Sequence, residues 1–135
     1  MDIQFFNFIK HGDARGQLVA IEELKDIPFS IKRVYYMWNA GPEVRRGYHA
    51  HKKLQQVLIC VRGRCKILLD DGTEKQVVLM DDPSKGLYVS NVMWREMYDF
   101  SSDAVLMVLA SEYYDPSDYI RDYDEFLKFV GKEKK

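Results

Sequence analysis

Cysteine is nearly absent from the chain: Cys60 and Cys65, flanking a probable turn at Arg62-Gly63, are the only two in 135 residues. Neither lies in a Cys-x-x-Cys pair, so a disulfide-built fold and a cysteine-rich zinc site are both excluded. The two could face each other across a hairpin, but two buried thiols in a reducing compartment is the favoured reading. Net charge is lacking as well, with 20 basic against 21 acidic side chains. Overall electrostatics therefore offers no nucleic-acid or membrane-surface role. No apolar run approaches the roughly 20 residues needed to span a bilayer. The opening Met1-Asp2-Ile3-Gln4-Phe5-Phe6 has no basic segment leading into a sustained apolar one, so no secretory signal is expected. These absences predict a soluble, cytoplasmic protein.

Apolar residues make up 47% of the chain and aromatics 13%, ample for a core, and the length suits one domain over residues 1–135. No internal repeat, low-complexity tract or linker divides it. Ile31–Trp38, Gln56–Val61, Lys66–Leu69 and Val105–Leu109 are rich in β-branched and aromatic residues and read as strands. Asp70-Asp71-Gly72 reads as a hairpin turn, and Arg62-Gly63 and Lys85-Gly86 as further turns. Strands this short and numerous predict an all-β fold, an antiparallel sandwich or barrel. One helix is expected at the C-terminus. Asp115 would cap it, Pro116 would take its first position and Asp118 would place charge at its positive end. Tyr119, Ile120, Tyr123, Phe126, Leu127 and Val130 would form its apolar face, and the tail from Gly131 should fray. Long edges on a small sheet invite a second copy, and Ile3–Ile9 is the segment expected to be exchanged.

The chemistry concentrates in Arg45-Arg46-Gly47-Tyr48-His49-Ala50-His51-Lys52-Lys53. Two histidines two apart on a strand share a face. Such a pair commonly opens a β-barrel metal site that adds a glutamate and a third histidine. Here Gln55 and Gln56 stand where the glutamate belongs, and Arg95 where the third histidine would sit. An amide is a poor ligand and a guanidinium cannot shed its proton to bind metal, so no metal is expected. His11 has no motif around it and reads as a loop residue. Arg95 could instead neutralise Glu96.

The segments IKRVYY (31–36), RGYHAHKKLQQVLICVRG (46–63), GLYV (86–89), WREM (94–97) and LASEYYDPSDYIRDYDEF (109–126) resemble the sugar nucleotide 3,4-ketoisomerases. These are cupins acting on dTDP-4-keto-6-deoxyglucose. The likeness runs from about Asp13 to the C-terminal helix. It implies a cupin jelly-roll barrel, a strand-exchanged homodimer, no metal or organic cofactor and a dTDP-linked keto sugar as partner. It also implies His49 as the base, with His51 and Tyr35 assisting proton transfer or orientation.

The residues suit that chemistry. Moving a ketone from C4 to C3 requires removal of the C3 proton, an enediol or enediolate, and protonation at C4. This calls for a histidine base and fixed cations. His49, His51, Tyr35, Arg33 and Arg95 can face one lumen. Arg33 and Arg46 are the candidates for the diphosphate, and Tyr48 or Trp94 could stack on thymine. Arg15 resembles the kind of ketoisomerase that makes a galacto product, whereas Arg95 resembles the gluco kind; galacto is favoured. A metal-free 3,5-epimerase and a non-catalytic sugar-binding cupin are the alternatives.

Overall fold

A computed structural model describes residues 1–133, and the side chains of residues 1–131. In chain order its strands are β1 (Gln4–Asn7), β2 (His11–Asp13), β3 (Gly16–Leu18), β4 (Arg33–Trp38), β5 (Arg46–His51) and β6 (Gln56–Arg62). There follow β7 (Cys65–Asp70), β8 (Lys75–Met80), β9 (Lys85–Val89), β10 (Trp94–Tyr98), β11 (Val105–Ala110) and the short β12 (Tyr119–Ile120). One helix, α1 (Tyr123–Glu133), ends the described chain. Two five-stranded antiparallel sheets, β1-β9-β6-β11-β4 and β12-β5-β10-β7-β8, face each other as a jelly-roll barrel. The four strands expected from composition are all present, each within two residues of its expected ends.

Alternation along the strands fills the space between the sheets. Leu58 and Cys60 of β6, Cys65, Ile67 and Leu69 of β7, and Leu106 and Val108 of β11 are buried there. The two cysteines are free and buried. Strand β6 is apolar on both faces, because its outward Val57 and Ile59 lie beneath Phe8, Ile27 and Phe29 of the N-terminal segment. A third cluster packs Phe126 and Val130 of α1, with Ile120, onto Ala50 and Trp94 behind the second sheet.

Four expectations need correction. Lys85-Gly86 is not a turn but the start of β9, where a Cβ on Gly86 would come within 2.7 Å of Val57 and 2.8 Å of the Phe8 ring. The glycine marks close packing, not a reversal. The helix starts later than its apparent signals. Asp115 caps a single 3-10 turn, Pro116–Asp118; Tyr119 and Ile120 then form β12 against β5. The α-helical cap is Asp122, whose Oδ1 accepts from the Glu125 amide at 3.0 Å. Leu127, expected on the apolar face, is 38% exposed. The tail expected to fray begins inside α1 at Gly131, and its last two residues lie outside the described ones. His11 is an exposed residue of β2.

Strand β1 lies at the edge of the first sheet, paired with β9. The hairpin β2–β3 is the element exposed along both strands.

Candidate active site

Register places the polar residues together. Arg33 of β4 and Gln56 of β6 both lie opposite Ala110 of β11, and Arg95 of β10 lies opposite His49 of β5. Because the strands are antiparallel, the start of β4, β6 and β10 and the end of β5 meet at one end of the barrel. There the lumen changes from apolar to polar. A cavity of about 440 Å³ opens at this end, lined by Arg33, Tyr35, Arg46, His49, Tyr114, Tyr119 and Arg121 among others.

The turn in β5 is built by Gly47 and Tyr48. The pairing with β10 shifts between Arg95–His49 and Glu96–Gly47, so Tyr48 is an extra residue, a β-bulge. Gly47 has φ +96 and Tyr48 φ +57, and a Cβ on Gly47 would lie 2.7 Å from the Arg95 carbonyl oxygen. Only glycine meets both demands. The histidines follow on one face with ring centroids 4.9 Å apart, while Ala50 between them joins the cluster under α1.

The tautomer of each histidine follows from its partner. His49 Nδ1 lies 3.0 Å from the Gly47 carbonyl oxygen, which can only accept, so Nδ1 carries the hydrogen and Nε2 the lone pair. His51 Nδ1 donates to Asp118 Oδ2 at 3.2 Å. Its Nε2 is buried without a hydrogen-bond partner. The Asp118 carboxylate also accepts from the amides of Lys53 at 2.9 Å and Leu54 at 3.3 Å, tying the strand end to the 3-10 turn. Tyr119 covers both imidazoles, 5.0 Å from His49 and 4.3 Å from His51, and Arg121 stacks on Tyr119 at 4.2 Å.

Arg95 is 1% exposed, yet its guanidinium touches no carboxylate among the described residues. Its Nε and Nη2 donate to the Met93 carbonyl at 3.1 and 2.8 Å, and its Nη1 donates to Gln56 Oε1. Glu96 faces the other way, held by Arg45 at 2.7 Å and by the Trp94 indole at 2.9 Å, so Arg95 does not neutralise it. Gln56 Nε2 donates in turn to the Tyr35 hydroxyl at 2.9 Å. Arg33 stands over Tyr35 and Tyr114, 5.1 and 5.5 Å from their centroids, with Nε and Nη2 buried and unpartnered.

The structure thus gathers Arg33, Tyr35, Arg46, His49, His51 and Arg95 at one end of the barrel. It does not bring Arg15 to the cavity: that side chain is 90% exposed in the hairpin and paired with Asp13 at 2.7 Å. Trp94 is unavailable to a base, because it is 3% exposed and packed against Tyr123 and Phe126. Tyr48 is half exposed on the bulge and is not among the residues lining the cavity. Asp118, Tyr119, Arg121 and Tyr114 were missed by the sequence reading. The apolar spacing through residues 119–130 resembled one helix, which hid the two-residue alternation of Tyr119 toward the site and Ile120 toward the core.

Burial holds His49 at about 4 and His51 at about 2, well below the ordinary imidazole value, with the Arg95 charge the next cause in each case. Burial also lowers Arg95 to about 10, which leaves it a cation at neutral pH. Both histidines are therefore neutral bases, and the His51–Asp118 contact is a hydrogen bond to a neutral ring. Since the folded values lie below the unfolded value of about 6.5, the unfolded chain binds more protons as pH falls. The stability linked to the neutral rings is fully present above pH ~6.5 and is lost as pH falls through the folded values. The urea midpoint should decline from pH 6.5 to 4, and the decline should be shallower in His49→Asn. An equal slope in that variant would show that His49 is not held neutral.

A family model described as "FdtA: WxcM-like, C-terminal" matches residues 1–131. The chain is 58% identical over 132 residues to the TDP-4-oxo-6-deoxy-alpha-D-glucose-3,4-oxoisomerase of Aneurinibacillus thermoaerophilus, covering 98% of this chain and 95% of that one. Its fold matches a 3,4-ketoisomerase from Helicobacter canadensis at TM-score 0.94 and 50% identity, covering 97% and 98% of the two chains. It matches the sugar 3,4-ketoisomerase QdtA from Thermoanaerobacterium thermosaccharolyticum, solved with TDP, at TM-score 0.95 and 48% identity, covering 97% and 96%. A histidine-to-asparagine variant of QdtA was solved with TDP-4-keto-6-deoxyglucose. With matches of this extent laid over a barrel whose reactive end carries two neutral imidazoles and a buried guanidinium, the chain belongs to the FdtA family of sugar nucleotide 3,4-ketoisomerases.

Proposed function

We propose that the chain converts dTDP-4-keto-6-deoxy-D-glucose to a dTDP-3-keto-6-deoxyhexose of galacto configuration, through His-mediated proton transfer. The observation that carries this reading is the pair of neutral imidazoles beside the buried Arg95 cation. His49 Nε2 removes the C3 proton, and the electron pair of that C–H bond forms the C3–C4 double bond of an enediolate, with the negative charge on the C4 oxygen. The Arg95 charge, already desolvated, stabilises the oxyanion without solvent reorganisation. His51, oriented by Asp118, and Tyr35 assist the return of a proton to C4. As C4 takes the proton, the C3 hydroxyl gives up its own, by way of His51 or Tyr35, to the C4 oxygen, so that C3 becomes the ketone and C4 the alcohol.

No metal is required in this scheme. The amide oxygen of Gln56 is engaged by Arg95, and a guanidinium in place of a third ligand repels a cation rather than binding one. Support for the galacto product comes from Arg15 and its resemblance; Arg95 points the other way, so the product itself must be identified. The test is incubation with the nucleotide sugar in deuterated water, with and without a chelator, followed by NMR in situ. The C3 proton should exchange, the galacto 3-keto product should form, and chelation should leave the rate unchanged. His49→Asn should lose exchange and at least about a hundredfold in rate. Loss of turnover on chelation, restored by a divalent ion, would overturn the metal-free reading; exchange at C5 would favour the 3,5-epimerase alternative.

Arg33 and Arg46 are proposed to hold the diphosphate. Buried guanidinium nitrogens without partners are costly unless a ligand supplies acceptors, and Arg33 has two. Such a contact is made in ground and transition states alike, so its loss raises KM more than it lowers kcat. Arg33→Ala and Arg46→Ala should each weaken dTDP binding in calorimetry by about 1.5–3 kcal/mol, the range for a hydrogen bond to a charged group. His51→Asn should leave dTDP affinity intact while turnover falls. Unchanged dTDP affinity in either arginine variant removes that residue from the phosphate site.

The working form is proposed to be a homodimer. Edge strand β4 turns Val34, Tyr36 and Trp38 outward, each more than half exposed, with the last two rings 5.9 Å apart. The hairpin β2–β3 carries Arg15 on an exposed arm, which a second copy could receive. Sedimentation equilibrium should give twice the chain mass, and Trp38→Lys should shift it to the single mass. A single mass for the unaltered protein would remove the dimer.

A further inference from the structure

Two side chains stand where a metal-binding barrel would place ligands, and both are buried: Gln56 at 2% and Arg95 at 1% exposure. They form a chain with a fixed direction. Guanidinium nitrogens only donate, so the amide atom of Gln56 that meets Arg95 must be the oxygen. The amide cannot then be turned over, although amide orientation is ordinarily ambiguous. Its nitrogen is thereby aimed at the Tyr35 hydroxyl, 2.9 Å away. An amide nitrogen only donates, so the Tyr35 oxygen accepts, and the phenolic hydrogen must point elsewhere. Tyr35 lines the cavity that holds His49 and Arg33.

We infer that Gln56 is a positioning residue: locked by Arg95, it forces Tyr35 to present its hydroxyl hydrogen to the sugar as a donor. This rests on the ketoisomerase reading, in which Tyr35 assists the proton transfers. The direction of the chain matters because a tyrosine that spent its hydrogen on the protein would meet a substrate oxygen with lone pairs only. A hydroxyl donor aimed at the enediolate, by contrast, strengthens as charge develops there. Arg95 thus acts on Tyr35 without touching it.

Gln56→Glu tests the direction. A carboxylate keeps the acceptor for Arg95 but has no donor, so Tyr35 would turn its hydrogen toward residue 56 and away from the sugar. With fold and dTDP affinity held within about twofold, kcat should fall at least about tenfold. The same change made in a Tyr35→Phe background should cost clearly less than it does with Tyr35 present, the remaining cost being the Arg95 charge neutralised by the new carboxylate. Fully additive losses, or normal turnover in Gln56→Glu, would overturn the inference. A measurement without substrate separates this from the functional reading. In protein labelled at the tyrosine ζ-carbon, the resonance lost in Tyr35→Phe belongs to Tyr35. It should move downfield in Gln56→Glu as the hydroxyl becomes a donor to a carboxylate. An unmoved resonance overturns the proposed polarity whether or not the protein turns over the sugar.

Discussion

The reactive end of this barrel depends on one buried cation. Arg95 is enclosed in the lumen with a backbone carbonyl and a side-chain amide as its partners. Enclosing a charge without a contacting counterion is expensive, and the depressed value of its guanidinium records that cost. The same charge does three things at once. It discourages protonation of both imidazoles, it orients Gln56, and it supplies a desolvated positive potential of the kind the proposed enediolate needs. A carboxylate in contact with Arg95 would cancel all three. Glu96, its neighbour in sequence, is turned to the opposite face and taken up by Arg45 and Trp94.

The second constraint is the division of β5 between two tasks. His49 and His51 face the lumen, while Ala50 between them is fully buried beneath Trp94, Ile120 and Phe126. A side chain larger than alanine there would push against α1, and the histidine face would shift with it. The bulge at Gly47 and Tyr48 sets where this face begins. The packing of α1 on the outside of the sheet therefore bears on the aim of the bases inside it, through a strand one residue thick.

Much of this was legible in the sequence. The strands were evident because β-branched and aromatic residues cluster in short runs, and the histidine pair because two-residue spacing leaves no choice of face. Comparison with the usual barrel metal pattern singled out Gln55, Gln56 and Arg95, and the structure places the last two in contact inside the barrel. What the sequence did not disclose lies at residues 114–122. There a proline after an aspartate, followed by apolar residues three and four apart, satisfies the pattern of a helix start, and the true start is Asp122. Tertiary pairing with β5 overrode that local signal, because Tyr119 and Ile120 gain more by adding a strand than by joining the helix. Trp94 was misjudged for a related reason. Its strand position was right for the site, but an even-numbered neighbour of Arg95 faces outward, where α1 covers it. Arg15 lies on an exposed arm held by Asp13, apart from the cavity, where nothing in its local sequence marks that separation.

Asp118 lies 67 residues beyond the histidine that it orients. As a chain emerges during synthesis, the strand bearing both imidazoles is made well before the carboxylate that fixes the ring of His51 and the tyrosine that covers it. Until that segment arrives, His51 has no partner to choose its tautomer, and the amides of Lys53 and Leu54 have no acceptor. The barrel can thus begin to assemble before His51 is oriented and the two rings are covered, and the assembly of the fold and the completion of the site are separated in time along one polypeptide.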